Sequence, residues 1–234
     1  MIKVLDLFSG THSIGKCCEE IGWEVVSLDY ELPATHQIDI LEFDYKQYPK
    51  DTFQIIWASP DCCYYSVLQN CWLGKKKKDG IIFTKEILEE KRKHSDKLIK
   101  KTLEIINYFQ PELWFMENPK TGTLKDRDVV KGIPFYDVDY CMYSDWGYRK
   151  STRIWTNKKD WNNLLCDNSG SCGNMIEIPS DGKIKSDTRI LHKNNCGNTE
   201  KLQSLRKHPH CKGGTNRLDR YRVPPNLIYS LFLE

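Results

Sequence analysis

Short apolar runs alternate with helix-like stretches along the first half of the chain, and this alternation constrains the fold more than any other feature. The strand-like runs are IKVLDLF (2–8), EVVSLDY (24–30), FQIIWASP (53–60) and ELWFMENP (112–119). Strands that alternate with helices form right-handed crossovers and a mostly parallel sheet. The sequence therefore predicts an α/β fold with a doubly wound sheet, followed by a small loop-rich lobe.

Two stretches between the runs show helical periodicity. The first is GKCCEEIGW (15–23), together with the residue before it. Its apolar face comprises Ile14, Cys17, Cys18 and Ile21. The longer stretch SDKLIKKTLEIINYFQP (95–111) is amphipathic. Ser95 is its predicted N-cap, and Pro111 lies just past its predicted end.

Composition narrows the classes of protein without choosing a function. The chain has 234 residues, a net charge of +3 and ten cysteines. It shows no apolar signal segment before the first strand and no apolar stretch of about 18 residues, so we expect an intracellular protein, nuclear or cytoplasmic, with no membrane partner. The thiols are then expected to be reduced, and each cysteine is catalytic, metal-bound or buried.

Polar residues follow the predicted strands at their carboxyl ends, where ligands of such sheets bind. DLFSGTHSIG (6–15) leads from a strand into a helix, and amides at a helix N-terminus can hold a carboxylate or phosphate. Asp29 ends the next strand and could hydrogen-bond a ribose diol. These features favour a nucleoside with an amino-acid carboxylate, such as S-adenosylmethionine. An ordinary tight turn with a solvated aspartate is the alternative.

Five segments resemble, in order, motifs of the DNA (cytosine-5) methyltransferases. They are DLFSGTHSIG, ASPDCCYYS, FMENP, YRKSTRIWTN and RYRVPP. The chain is most similar to the short phage and large-DNA-virus members, and only 156–215 lacks a match. The resemblance implies a Rossmann-like class I methyltransferase fold. It also implies a catalytic domain at 1–155 that uses S-adenosylmethionine, a target-recognition region at 156–215, and a C-terminal segment at 216–234 that returns to the catalytic domain.

The resemblance implies methyl transfer from S-adenosylmethionine to carbon 5 of cytosine in double-stranded DNA. Cys62 would be the nucleophile, Glu117 the partner of the cytosine N3, and Arg153 a contact to O2. Cys63 is expected to be a small packing residue. Asp61 stands where the family pattern S-P-P-C has its second proline, and a carboxylate beside the nucleophile should raise the thiol pKa and weaken activity.

The same resemblance implies the binding residues. The predicted cofactor contacts are Phe8, Ser9, Gly10, Thr11, His12, Asp29, Asp39 and Pro60. The predicted nucleic-acid contacts are Ser66, Lys75, Lys76, Lys77, Lys78, Asn118, Arg149 and Lys150. The lysines lie in 64–84, which resembles the family's mobile loop and would close over a base flipped out of the duplex. A solvated lysine loop without a ligand is the alternative.

Zinc is a further hypothesis for the loop-rich region. Its predicted ligands are Cys166, Cys172, Cys196 and Cys211, with nearby histidines as other candidates. The spacing is irregular, so reduced thiols without a metal are the alternative. Two functional alternatives also stay open at this point. One is a catalytically weak relative that binds DNA or the cofactor, and the other is a cytosine-5 methyltransferase of RNA.

Overall fold

The structure is a computed structural model that describes residues 1–77, 79–178, 189–192 and 218–234. Its α-helices are α1 (Ser13–Glu20), α2 (Lys85–Phe109) and α3 (Pro225–Leu233). Its strands are β1 (Lys3–Leu7), β2 (Glu24–Asp29), β3 (His36–Gln37), β4 (Ile55–Ala58), β5 (Leu113–Pro119), β6 (Phe135–Asp139), β7 (Ser151–Thr156), β8 (Met175–Ile178) and β9 (Arg189–His192). None of the helices in these ranges has the length and apolar character needed to span a membrane.

Seven strands form one sheet in the order β3-β2-β1-β4-β5-β7-β6. The strands β1 to β5 pair in parallel, and β7 is antiparallel to β5. The predicted α/β fold with a mostly parallel sheet is therefore confirmed. The strand order reverses direction between β1 and β4, and this switch point is where such sheets bind ligands.

The central strands form where the sequence is continuously apolar. All four residues of β4 are buried, and so are the last four of β1. Strands of a parallel sheet are covered on both faces, so they lack the alternation of polar and apolar residues. The predicted strand positions are confirmed for β1, β2, β4 and β5.

The helix α2 begins ten residues before its predicted start. Thr84 is the N-cap, and its hydroxyl accepts a hydrogen bond from the amide of Ile87 at 3.4 Å. Ser95 lies inside the helix and is 3% exposed, so its prediction as the N-cap is wrong. The end of the helix is close to the prediction. Gln110 has a left-handed conformation with φ of 48° and precedes Pro111.

The chain divides into two compact units. The first comprises Met1–Tyr136 and Thr152–Asp160, and the second comprises Asp137–Ser151 and Trp161–Glu234. The first unit contains β1 to β5 with α1 and α2. The second contains α3 and a two-stranded antiparallel sheet of β8 and β9. The predicted division at 155 and 215 stays a prediction.

Candidate active site

The turn between β1 and α1 has a left-handed backbone at three positions. Phe8, Gly10 and His12 have φ angles of 61°, 53° and 60°. Glycine adopts this conformation without strain, whereas a side chain at φ > 0 crowds the neighbouring carbonyl. The amide of Ser9 donates to the carbonyl of Leu28 at 3.0 Å, so the turn is attached to β2.

Asp29 holds the same turn from the end of β2. Its Oδ2 accepts from the amide of Gly10 at 2.9 Å. Its Oδ1 accepts from the amides of Glu31 and Leu32 at 2.9 and 2.8 Å. The carboxylate therefore fixes the glycine turn relative to the loop after β2.

Asp39 lies in a loop that is attached to the same strand end. The amide of Ile38 donates to the carbonyl of Asp29 at 3.1 Å. Oδ1 of Asp39 accepts from the amide of Leu41 at 2.9 Å. The two predicted acidic contacts to the nucleoside are thus neighbours, and their roles in binding stay predictions.

His12 lies with its imidazole ring over the start of α1. A Cβ on Gly15 would be 2.2 Å from Nε2 of His12, so only glycine leaves space for the ring in this position. The same Nε2 is 3.3 Å from Oε1 of Glu19. The hydroxyl of Thr11 is 3.3 Å from that of Ser13. Both side chains therefore contact α1, and their predicted contacts to the cofactor stay predictions.

Two buried polar atoms near the carboxyl end of β1 lack a hydrogen-bond partner among the described residues. They are Oδ2 of Asp6 and Oγ of Ser9. Burial of Asp6, and then the charge of Asp29, hold the pKa of the Asp6 carboxyl well above its usual range. An unpaired buried polar group costs about 1–3 kcal/mol. The position is therefore one where a polar ligand would stabilise the protein. Sequence reasoning missed Asp6 because it lies within an apolar strand.

The segment that carries the predicted nucleophile follows β4 and is attached to both neighbouring strands. The amide of Ser59 donates to the carbonyl of Leu7 at 3.1 Å. The Nδ2 of Asn118 donates to the carbonyl of Pro60 at 2.9 Å. The turn before Cys62 is therefore held between the carboxyl ends of β1 and β5.

The two adjacent cysteines have different environments. Cys62 is half-buried at the start of a 3₁₀ helix (Cys63–Tyr65), whereas Cys63 is exposed. The prediction that Cys63 is a packing residue is therefore wrong. Oδ1 of Asp61 accepts from the amide of Cys63 at 2.9 Å. Asp61 thus stabilises the turn through a hydrogen bond from its side chain, where the family pattern has a rigid proline.

The far end of this turn is held by a buried tyrosine. The hydroxyl of Tyr65 donates to Oδ1 of Asp96 at 2.8 Å. Arg127 pairs with the same carboxylate at 2.5 Å and with Glu89 at 2.7 Å. The carbonyl of Tyr65 accepts from the amide and hydroxyl of Thr123 at 2.8 and 3.1 Å. Sequence reasoning missed this network, because its members are far apart in the chain and match no motif.

The strands β5 and β7 bring three predicted site residues to neighbouring positions. The register pairs Glu117 with Ile154 and Asn118 with Arg153. Glu117 and Asn118 are 6% and 1% exposed. The guanidinium carbon of Arg153 lies 3.6 Å from the ring centroid of Phe135, which is a cation–π contact. The roles of Glu117 and Arg153 toward a cytosine stay predictions.

Lys75, Lys76 and Lys77 lie on one arm of a small hairpin. The amide of Phe83 donates to the carbonyl of Lys75 at 2.9 Å, and the amide of Lys77 donates to that of Ile81 at 2.8 Å. The Nζ atoms of Lys75 and Lys77 are 5.5 and 4.2 Å from the ring centroid of Trp72. Two of the lysines therefore lie over an aromatic side chain.

The segment 64–84 also carries several exposed side chains. Lys76 is exposed and bridges to Ile82 across the hairpin, and Lys78 lies outside the described residues. The hydroxyl of Ser66 accepts from the amide of Leu68 at 3.3 Å and caps the next 3₁₀ turn. The exposed large apolar side chains are Val67, Leu68, Trp72, Ile81 and Ile82.

The other two predicted nucleic-acid contacts lie in the second unit and make internal contacts. Arg149 donates to Oδ2 of Asp139 at 2.8 Å, and Nζ of Lys150 donates to the carbonyl of Arg220 at 3.2 Å. Burial opposes ionisation of Asp139, but hydrogen bonds from Arg149 and Ser151 outweigh it and keep the pKa of Asp139 below its usual value. The contacts of Arg149 and Lys150 with nucleic acid stay predictions.

The second unit also gathers four potential metal ligands. The sulfur atoms of Cys141, Cys166 and Cys172 and a ring nitrogen of His192 all lie within 4.8 Å of one another. Of the predicted zinc ligands, Cys166 and Cys172 belong to this cluster, whereas Cys196 and Cys211 lie outside the described residues. Sequence reasoning missed Cys141 because it lies before the polar region and forms no short spacing with the others.

Comparison with known proteins gives a relative over the full length. No protein-family model matches the chain. The chain is 38% identical over 232 residues to a frog virus 3 (isolate Goorha) protein named "Probable DNA (cytosine-5)-methyltransferase", and the match covers 98% of both chains.

Solved structures of methyltransferases match at lower identity. The Entamoeba histolytica methyltransferase EhMeth matches with a TM-score of 0.48 at 13% identity, over 99% of this chain and 96% of that one. A Spodoptera frugiperda DNMT2 variant matches with a TM-score of 0.38 at 16% identity, over 71% of this chain and 54% of that one. The chain thus spans about half of the insect enzyme.

Proposed function

The chain belongs to the DNA (cytosine-5)-methyltransferase family, and on that premise we propose that it transfers a methyl group from S-adenosylmethionine to carbon 5 of cytosine in double-stranded DNA. The observation that carries the proposal is the half-buried Cys62, held between the ends of β1 and β5 in a chain related to such enzymes over its full length.

Cys62 acts in this proposal as a covalent nucleophile. Carbon 5 of cytosine is too weak a nucleophile to take a methyl group unaided. The thiolate of Cys62 adds to carbon 6, which makes carbon 5 part of an enamine and able to form the new carbon–carbon bond. Loss of the carbon-5 proton then restores the double bond and expels the thiolate.

Glu117 and Arg153 act on the other side of the base. Electron flow into the ring is favoured when a proton is donated to N3, and we assign that donation to the carboxyl of Glu117. Burial of this side chain at 6% exposure excludes water from competing for the same hydrogen bond. Arg153 would hold O2 of the cytosine, which fixes the ring while the thiolate approaches.

The residues around the glycine turn fit S-adenosylmethionine. The unpaired Oγ of Ser9 and Oδ2 of Asp6 are buried at the carboxyl end of β1, so a polar ligand there would satisfy atoms that the described residues leave without partners. In this proposal Phe8, Ser9, Gly10, Thr11 and His12 hold the methionine end, while Asp29, Asp39 and Pro60 hold the nucleoside. When bound, S-adenosylmethionine supplies an electrophilic methyl group on a sulfonium.

The DNA side of the proposal rests on the segment after Cys62. The target base must leave the duplex to reach the thiol, and the exposed apolar side chains of 67–82 are suited to fill the space it leaves. Lys75, Lys76, Lys77 and Lys78 would contact phosphates, which positions DNA without reading its sequence. We assign further nucleic-acid contacts to Ser66, Asn118, Arg149 and Lys150, and the reading of the target sequence to 156–215.

The test is methylation of unmethylated DNA by the purified full-length chain with S-adenosylmethionine. The DNA is digested to nucleosides, and 5-methylcytosine is quantified by mass spectrometry. Cys62→Ser should abolish the product, whereas Cys63→Ser, a matched change at the adjacent exposed thiol, should retain it. DNA with 5-fluorocytosine should form a covalent adduct with wild type and not with Cys62→Ser, since fluorine cannot leave as a proton does.

Other outcomes would overturn parts of the proposal. Loss of product and adduct with Cys63→Ser but not with Cys62→Ser would reassign the nucleophile. Product on RNA and none on DNA would reassign the substrate. Binding of S-adenosylmethionine and DNA without any product, across DNA of varied sequence, would favour a relative that binds without turnover.

A further inference from the structure

The cluster of Cys141, Cys166, Cys172 and His192 has the dimensions of a tetrahedral metal site. Zinc bonds of about 2.3 Å to sulfur and about 2.0–2.1 Å to nitrogen, at tetrahedral angles, place sulfur and nitrogen about 3.6 Å apart. Nε2 of His192 lies 3.7 Å from the sulfur of Cys166 and 3.6 Å from that of Cys172. These two distances match a zinc ion that bonds His192, Cys166 and Cys172, and the sulfur of Cys141 lies within 4.8 Å of all three ligand atoms.

A buried amide fixes the backbone of two of the cysteines. Asn174 is 2% exposed, and its Nδ2 lies within hydrogen-bond distance of the carbonyls of Cys141, Ser144 and Cys172, at 2.8, 2.7 and 3.0 Å. Its Oδ1 accepts from the amide of Gly147 at 2.9 Å. Two cysteines that are 31 positions apart in the chain are thus held together by one side chain. Support of this kind around the ligands is typical of metal sites.

The third cysteine is also held by a hydrogen bond from its backbone. The amide of Cys166 donates to Oδ2 of Asp139 at 2.9 Å, and the same oxygen accepts from Arg149 at 2.8 Å. Three thiolates around a divalent ion leave a net charge of about −1. Arg149 and Asp139 carry opposite charges and pair with each other, so together they leave this net charge unchanged.

The cluster also connects four segments of the second unit. Its ligands come from a 3₁₀ turn after β6, from two loop positions and from the end of β9. Among the described residues, the strand β9 pairs with β8 alone in a two-stranded sheet, where Met175 is opposite His192. A sheet of two strands alone is marginally stable in water, and a metal is one means of stabilising it.

From this geometry we propose that Cys141, Cys166, Cys172 and His192 bind one structural zinc ion, which stabilises the second unit. Three thiolates and one imidazole in tetrahedral array are a zinc donor set. The proposal concerns the fold of the second unit and does not depend on methyl transfer.

The test is metal analysis of the full-length chain, purified without chelators from zinc-supplemented cells. Mass spectrometry of the metal should give about one zinc per chain. Cys141→Ser, Cys166→Ser and His192→Ala should each lose most of it, while Cys71→Ser and His94→Ala, which change an exposed cysteine and histidine outside the cluster, should retain it. Cys196→Ser and Cys211→Ser should also retain it, and that result would distinguish this ligand set from the set of Cys166, Cys172, Cys196 and Cys211 proposed from the sequence.

A measurement on wild type covers the case in which the cluster variants fail to fold. Zinc is removed with a chelator and replaced by Co²⁺, whose absorption reports ligand type and geometry. Sulfur-to-cobalt charge-transfer bands with intense tetrahedral d–d bands are the expected result. A chain that holds neither zinc nor Co²⁺, or that loses zinc with Cys196→Ser and Cys211→Ser while the cluster variants keep it, overturns the proposal.

Discussion

Removal of one hydroxyl group, in Tyr65→Phe, tests whether the network behind the cysteine turn holds Cys62 in place. Tyr65 is 0% exposed, and its hydroxyl donates to the ionised Asp96 at 2.8 Å. A hydrogen bond to a charged group contributes about 1.5–3 kcal/mol. Phenylalanine fills the same volume, so no cavity is added. Arg127 still neutralises Asp96, so no buried charge is left without a partner.

The expected loss of unfolding free energy is therefore about 1.5–3 kcal/mol. With a urea dependence of about 2 kcal/mol per molar, the unfolding midpoint should fall by about 1 M. Arg127→Met should cost more, about 3–5 kcal/mol, because it leaves the largely buried Asp96 without its cation. Methylation by Tyr65→Phe should slow at saturating DNA, since the turn that carries Cys62 loses its anchor on α2.

Urea unfolding and 5-methylcytosine formation would be measured on wild type, Tyr65→Phe and Tyr64→Phe. Tyr64 is the matched control, because it is half-exposed and its ring lies 5.0 Å from Nζ of Lys91 at the surface. Its replacement should change the free energy of unfolding by less than about 0.5 kcal/mol. Equal midpoints for the two variants would refute the role given to the hydroxyl of Tyr65.

Three further predictions follow from the site. Asp61→Asn keeps an oxygen for the amide of Cys63 and removes the negative charge beside Cys62. The acid limb of the pH–rate profile should therefore move to lower pH, because a nearby carboxylate disfavours the thiolate; an unmoved limb contradicts this. The pKa of the Asp6 carboxyl is raised in the folded state, so wild type loses stability as pH rises above about 3.9. The stability that Asp6→Asn gains over wild type, measured by thermal unfolding, should therefore grow with pH. A stability difference that stays constant with pH contradicts this. Replacing Lys75, Lys76 and Lys77 together by glutamine should reduce the slope of log K for DNA binding against log salt concentration by about 0.9 per lost phosphate contact. The loss of affinity should be the same for all DNA sequences. An unchanged slope contradicts the assignment.

The sequence was sufficient for the parts of the fold that depend on local pattern. Continuous apolar runs identify β1, β2, β4 and β5, because strands of a parallel sheet are buried on both faces. The antiparallel strand β7 was not predicted, because its segment carries serine, threonine and arginine and forms no apolar run. Its burial comes from the elements that pack against it after folding. The start of α2 was misplaced, because two residues with good capping side chains, Thr84 and Ser95, lie eleven positions apart and tertiary packing selects Thr84.

The residues of the candidate site also divide into those that the sequence predicted and those that it missed. Cys62, Glu117 and Asn118 were named because ordered motifs carry them, and the structure attaches their segments to neighbouring strand ends. Tyr65 and Cys141 were not named, because their partners are separated by long stretches of chain and are brought together only by folding. Motifs record residues that act on a shared substrate, whereas supporting residues are specific to one chain's packing.

The hydrogen bonds at the strand ends also decide how variants of this site should be interpreted. Asp29 holds Gly10, and Asn118 holds the carbonyl of Pro60, so either side chain has a structural role before any ligand binds. Lost activity in an Asp29 or Asn118 variant is therefore compatible with a displaced turn as well as with a lost contact to cofactor or base. Cys62→Ser exchanges a single atom and retains the backbone hydrogen bonds of the turn, so among these substitutions it separates chemistry from architecture most cleanly.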